Sequence, residues 1–273
     1  MTDSWRHGRK VATDARAWML SALAWSWVIP QLDAQELVNL AEDDAGNYGG
    51  GWHTGSNGGY GFGPWQLTAR HGEERSYAGF FVARKENHSD LQNITRDAAF
   101  GLYANGVEFE QAVAFRSLEQ PLRAGDAFSI LIEHAQIPRG KDSEPSATRS
   151  FGLVLRADAR AESPDDWDSG ARFTFASIQG LETYRILDGE SPEKWDTGLQ
   201  ITESGIEVTF ILVDPDHYDL QVKVLETDQV HAWQGRQLGG LSEAAIASFA
   251  LFKRDAGGAN LYFQGLQINR EKR

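Results

Sequence analysis

The densest group of functional side chains lies between Gly49 and Gly63, where eight glycines are interleaved with Trp52, His53, Asn57, Tyr60 and Phe62, directly after Tyr48. Glycine lets the main chain take positive φ and approach a ligand closely, and aromatic rings set among glycines can stack on sugar rings. Tyr48, Trp52, Asn57 and Tyr60 are therefore candidate ligand-binding residues. The same composition also fits a plug, with Trp52, Phe62 and Trp65 packed into the end of a domain and the glycines forming bulges. Neither phosphate-binding pattern, Gly-x-x-x-x-Gly-Lys-Ser/Thr or Gly-x-Gly-x-x-Gly entering a helix, is present.

A second set carries acid-base chemistry. A lyase-like centre wants a Tyr or His base beside a cation that neutralises a substrate carboxylate. His134, Arg156, Tyr184 and Arg185, with Arg172, would supply one if they converged on a single sheet face. Polar residues are also the ordinary occupants of a half-solvated sheet face. Paired carboxylates on one strand, as Glu-x-Asp-x-Glu, are absent. So are Gly-x-Ser-x-Gly and His-Glu-x-x-His, which leaves no nucleophile elbow and no helix-borne zinc pair.

The third set is acidic. Glu42-Asp43-Asp44, Asp165-Asp166-Trp167-Asp168, Asp188 with Glu190, and Asp214 through Asp219 are carboxylate clusters of the kind that supply oxygen ligands to calcium. No twelve-residue calcium loop occurs, so a Ca2+ site would be assembled from separate loops. Asp43 and Asp44 near the first strand and Asn260 beside the last are the expected ligands, and solvated turns are the bland alternative.

The elements that must position these groups are strands. Alternation of apolar and polar residues marks ten segments, at 79–82, 99–104, 112–116, 128–134, 150–156, 172–178, 205–213, 218–225, 247–252 and 261–268, which predicts roughly ten to twelve strands. One short helical turn is predicted over Ser242–Ser248, capped by Ser242. Short turns and no crossover helices mean antiparallel sheets packed face to face, an all-β sandwich. The first and last strand-like segments, near Asn47 and Tyr262, are expected to lie together.

Composition narrows the partners. Against 26 Lys plus Arg stand 39 Asp plus Glu, a net charge of −13, without the basic footprint that nucleic acid requires. There is no cysteine, so disulfides and thiolate sites are excluded. Arg6, Arg9, Lys10 and Arg16 precede an apolar run, Ala17–Pro30, with Ala34 shortly after. This is the pattern of a signal peptide over residues 1–34, with secretion or periplasmic location to follow; the run is short for a membrane span. A single domain over 35–273 remains.

Ala45–Leu67, Gly79-Phe-Phe-Val, Ala99-Phe-Gly-Leu-Tyr-Ala, Phe115-Arg-Ser-Leu with Leu122–Ile130, and Ala250–Ile268 together resemble a group of secreted bacterial proteins with concanavalin A-like, laminin-G-like jelly rolls. The resemblance implies an antiparallel jelly-roll β-sandwich and export, and no particular reaction, because that scaffold hosts lectins, glycanases and lyases alike. The expected function is recognition of carbohydrate or another cell-surface polymer. A polysaccharide lyase or hydrolase, and a structural matrix protein, are the alternatives. N-terminal sequencing of exported material is expected to begin at Gln35; a chain beginning at Met1 would contradict the signal peptide.

Overall fold

The computed structural model describes residues 37–72, 77–88, 91, 93, 96–106, 109–134, 146–161, 163–190, 195–254 and 259–272. The expected signal peptide lies outside them. Among the described residues fifteen strands follow one another: β1 (Leu37–Asp43), β2 (Phe62–Arg70), β3 (Ala78–Arg84), β4 (Ala98–Ala104), β5 (Gln111–Leu118), β6 (Asp126–His134), β7 (Ser146–Arg156), β8 (Ala171–Gln179), β9 (Thr183–Leu187), β10 (Trp195–Gln200), β11 (Ile206–Asp214), β12 (His217–Val224), β13 (Val230–Gln237), β14 (Ser248–Arg254) and β15 (Leu261–Glu271). Among the described residues the helical elements are two 3-10 turns, Ala45–Asn47 and Pro164–Asp168, and no helix is long and apolar enough to cross a membrane.

The strands form two antiparallel sheets. The first runs β13-β12-β11-β6-β15-β4-β3, with β1 also paired to β15; the second runs β10-β9-β8-β7-β14-β5-β2. This is a jelly-roll β-sandwich. Side chains alternate along each strand, so Phe128, Ile130 and Ile132 of β6 face Leu153 and Leu155 of β7 and Phe249 and Leu251 of β14 across the interior. As expected, the outermost strands meet, β1 pairing antiparallel with β15 from Leu37 opposite Glu271 to Asp43 opposite Leu266, but the first strand ends before Asn47, which lies in a 3-10 turn.

All ten alternating segments are strands. The five others, β1, β2, β9, β10 and β13, were hidden by irregularity. β2 carries Pro64 and lies at a sheet edge, where a missing N–H costs no ladder bond. β10 is broken in register between Asp196 and Gln200, and β13 carries Gly235 at φ 62 where its pairing with β12 shifts. The expected helix at Ser242–Ser248 is a turn instead. The Asp216 carboxylate accepts from Ser242 Oγ (2.5 Å) and the Glu243 N–H (2.8 Å), and Glu243 sits at φ 60, outside helical space.

At the β2/β3 edge a charged pair is sealed inside the protein. Asp43, ending β1, and Arg116, in the middle of β5, are ion-paired with no side-chain exposure. Arg116 Nε donates to the Gly63 carbonyl (2.8 Å), Nη2 donates to Asn57 Oδ1 (2.6 Å), and its guanidinium lies over Phe62 (4.9 Å) and Trp65 (4.6 Å). The Tyr48 hydroxyl donates to Asp43 and accepts from the Gly58 N–H (2.9 Å) and Trp65 Nε1 (3.0 Å). Burial and that bond to Asp43 push the Tyr48 hydroxyl up to about 12. The glycine-rich segment is thereby pressed onto β1: a Cβ on Gly59 would stand 2.1 Å from the Glu42 carbonyl oxygen.

Removing one member of such a pair leaves the other charge buried and uncompensated. Asp43→Asn is expected to cost about 3–5 kcal/mol, a fall of roughly 6–20 °C in Tm for a domain of this size. Thermal and urea unfolding check it; a loss below about 1 kcal/mol would contradict the structural role.

Candidate functional site

The residues expected to bind a ligand do not come together. Tyr48 and Trp52 are buried, and Trp52 packs against Trp65, Phe80 and Phe100 at 5.1, 5.6 and 4.7 Å. Asn57 is spent on Arg116 and on the Phe62 carbonyl (3.2 Å). Of these four only Tyr60, 51% exposed, presents an open ring. His134 faces the interior against Phe151 (4.6 Å). Arg156 lies on the outer face of the second sheet over Phe115 (5.0 Å), donating to the carbonyls of Ser169 and Arg160, and burial lowers its pKa. Tyr184 and Arg185 are successive on β9 and point to opposite faces. Tyr184 stacks on Phe175 (5.0 Å) and burial raises its pKa, while Arg185 reaches Asp196 (2.8 Å). The lyase-like convergence is not formed, because alternation sends these side chains to different layers.

The calcium ligands do not fit an ion either. Asp43 is committed to Arg116 and Tyr48. Asp44 caps the 3-10 turn through the Gly46 N–H (2.8 Å) and pairs with Arg96 (2.9 Å). Asn260 bonds the Tyr262 hydroxyl (3.2 Å) and Asn105 (3.5 Å). Among the described residues no group of three or more His, Cys, Asp or Glu side chains could hold a metal. A cavity of about 210 Å³ beside β1 is floored by Leu40, Leu122 and Ile268. Its wall carries Glu119, Arg123, Asp126 and Arg270, of which Asp126 and Arg270 pair with each other at 2.5 and 2.9 Å.

A different arrangement appears where β10 and β13, the edge strands of the two sheets, face one another. Trp195 is opposite Ile186 in register, and Trp233, His231 and Arg236 are opposite Leu220, Val222 and Tyr218. Directly paired residues share a face, so all four side chains turn toward the gap between the sheets. The indoles of Trp195 and Trp233 meet at 5.9 Å and 90°, and the His231 ring lies nearly parallel to Trp233 at 6.4 Å and 19°. Arg236 covers Trp195 at 4.3 Å. It is held there by the buried Asp188 (2.7 Å), which also accepts from the Tyr218 hydroxyl (2.6 Å), and by Glu190 (3.2 Å). Asp196, next to Trp195, accepts from Thr183 Oγ1 (2.6 Å) and the Gly198 N–H (2.9 Å), bonds that hold its carboxyl below the usual range.

Both indoles stay half-buried, whereas Trp52 and Trp65 at the opposite edge are 3% and 1% exposed. This aromatic edge was missed in the sequence because β10 and β13 lack clean alternation. The spacing His231-x-Trp233, which puts two rings on one face of any strand, was the available signal.

No family model matches the chain, and no curated protein does. Among solved structures it is similar to a legume lectin-like domain from Entamoeba histolytica, at 10% identity and a TM-score of 0.40, over 68% of this chain and 95% of that one. Lectin II from Ulex europaeus is similar at 9% identity and a TM-score of 0.39, over 75% and 98%. A carbohydrate esterase from the Shiga toxin-encoding bacteriophage phi24B is similar at 10% identity and 0.39, over 76% and 90%. The likeness is one of sandwich architecture.

His134 remains outside any site, with both ring nitrogens buried and unpartnered. Burial pushes it down to about 4 from 6.5, so it stays neutral in the folded protein at neutral pH. The unfolded chain takes up this proton first as pH falls. Stability is therefore full above pH 6.5 and is lost progressively toward pH 4, by about 3 kcal/mol from this group. His134→Leu is expected to remove that part of the slope in urea unfolding across the window; identical slopes in the two proteins would contradict it.

Proposed function

We propose that this chain is an exported carbohydrate-binding β-sandwich that grips its glycan with the aromatic edge formed by Trp195, Trp233 and His231. The observation that carries the reading is the pair of half-buried indoles in the gap between the sheets, beside the exposed carboxylate of Glu190, which holds Arg236 over Trp195. Sugar rings offer C–H faces to aromatic rings and hydroxyls to carboxylate acceptors, and this edge supplies both. A seal alone would need no exposure, as Trp52 and Trp65 demonstrate. Export is supported by the basic and apolar pattern of residues 1–34. Dispersal of His134, Arg156, Tyr184 and Arg185 favours binding over bond cleavage.

The test is a glycan array probed with residues 35–273, followed by titration of the hits. Trp233→Ala is expected to weaken binding roughly thirtyfold, about 2 kcal/mol, the scale of an aromatic anchor. Tyr60→Ala should leave it unchanged. Binding insensitive to Trp195 and Trp233 in variants that remain folded would refute the assignment.

A further inference from the structure

We infer that the ligand of this edge is an uncharged, single glycan chain, neither a polyanion nor the face of a crystalline polysaccharide. The inference rests on the carbohydrate reading of Trp195 and Trp233 and takes it further on two independent observations.

The first is the angle between the rings. A crystalline polysaccharide presents a plane and can lie only on coplanar rings. Trp195 and Trp233 stand at 90°, with His231 within 19° of Trp233, so the rings make a corner. A corner accepts one chain, which sets a sugar face on one ring and its rim against the other.

The second is the pairing of charge. The guanidinium over the indoles, Arg236, is claimed by Asp188 and Glu190, and Arg185, on the outer face of β9, is claimed by Asp196. Lys223, further along β12, is paired with Asp228 (2.7 Å). Glu190 keeps an open face, with 44% side-chain exposure. A uronate or sulfate brought to the corner meets this exposed carboxylate and a guanidinium already neutralised. A neutral sugar brings hydroxyl donors, which the Glu190 carboxylate accepts.

The experiment uses residues 35–273 with three kinds of probe. These are soluble neutral glycans and soluble uronate and sulfated glycans on one array, and microcrystalline cellulose and chitin in pull-down. Wild type, Trp233→Ala and His231→Ala are compared, with circular dichroism to verify folding. The expected result is binding to neutral soluble members only, weakened at least tenfold by either substitution. Glu190→Gln, which releases part of Arg236, should make polygalacturonate binding detectable at low salt and lose it at high salt. Binding to a uronate, a sulfated glycan or a crystalline surface that depends on Trp233 would overturn this inference and leave the carbohydrate site standing. An absence of Trp233-dependent binding to any probe would overturn both.

Discussion

Two opposite charges with no access to water, Asp43 and Arg116, fix the way this sandwich is closed. Desolvating each ion is expensive, and the expense is met only when both stay together with their remaining hydrogen-bonding atoms satisfied. That condition recruits a whole region. Tyr48, Asn57 and the Gly63 carbonyl must all be in place around the pair, and Phe62 and Trp65 must lie against the guanidinium. The end of β1, the middle of β5 and the glycine-rich connection are therefore one packed unit.

With the β2/β3 edge sealed in this way, the molecule has a second edge with a different character. β10 and β13 are irregular, each with a glycine at positive φ, and their inward indoles pack against the core while remaining only partly buried. The indoles there are held by ring contacts with each other and with His231 and by the Arg236 guanidinium, which polar bonds fix in place. Asp188 links Tyr218 and Arg236, and Arg236 in turn braces Trp195. Tyr218 is kept protonated by burial and its bond to Asp188, which raise its pKa, so it remains a donor at all physiological pH values. Rings fixed from behind and open in front need little ordering when a ligand arrives.

How much of the fold is legible in the residues follows from these energetics. Strands such as β6, β11 and β12 bury one face completely, so their alternation is strict and legible. Edge strands are free to be short, bulged or interrupted, and β10 and β13 show no clear period, nor does the five-residue β9 next to β10. The candidate site shared that fate because it is built on two of them. The Gly49–Gly63 segment drew attention by composition, and composition does not distinguish glycines that approach a ligand from glycines that approach their own chain. Gly59, against the Glu42 carbonyl, is of the second kind. Asp43 and Asp44 read as cation ligands because their partner Arg116 is seventy-three residues away and Arg96 fifty-two.

The central claim is a division of labour, with the Gly-rich edge structural and the β10/β13 edge open to ligand. Nine tryptophans less the four before residue 35 leave five indole N–H probes in residues 35–273: Trp52, Trp65, Trp167, Trp195 and Trp233. The most direct measurement is an indole-labelled NMR titration with a neutral soluble glycan drawn from the array hits. The account predicts that the Trp195 and Trp233 resonances move together and saturate with the ligand, while those of Trp52 and Trp65 stay fixed. Movement of Trp52 and Trp65 with Trp195 and Trp233 unmoved would contradict it.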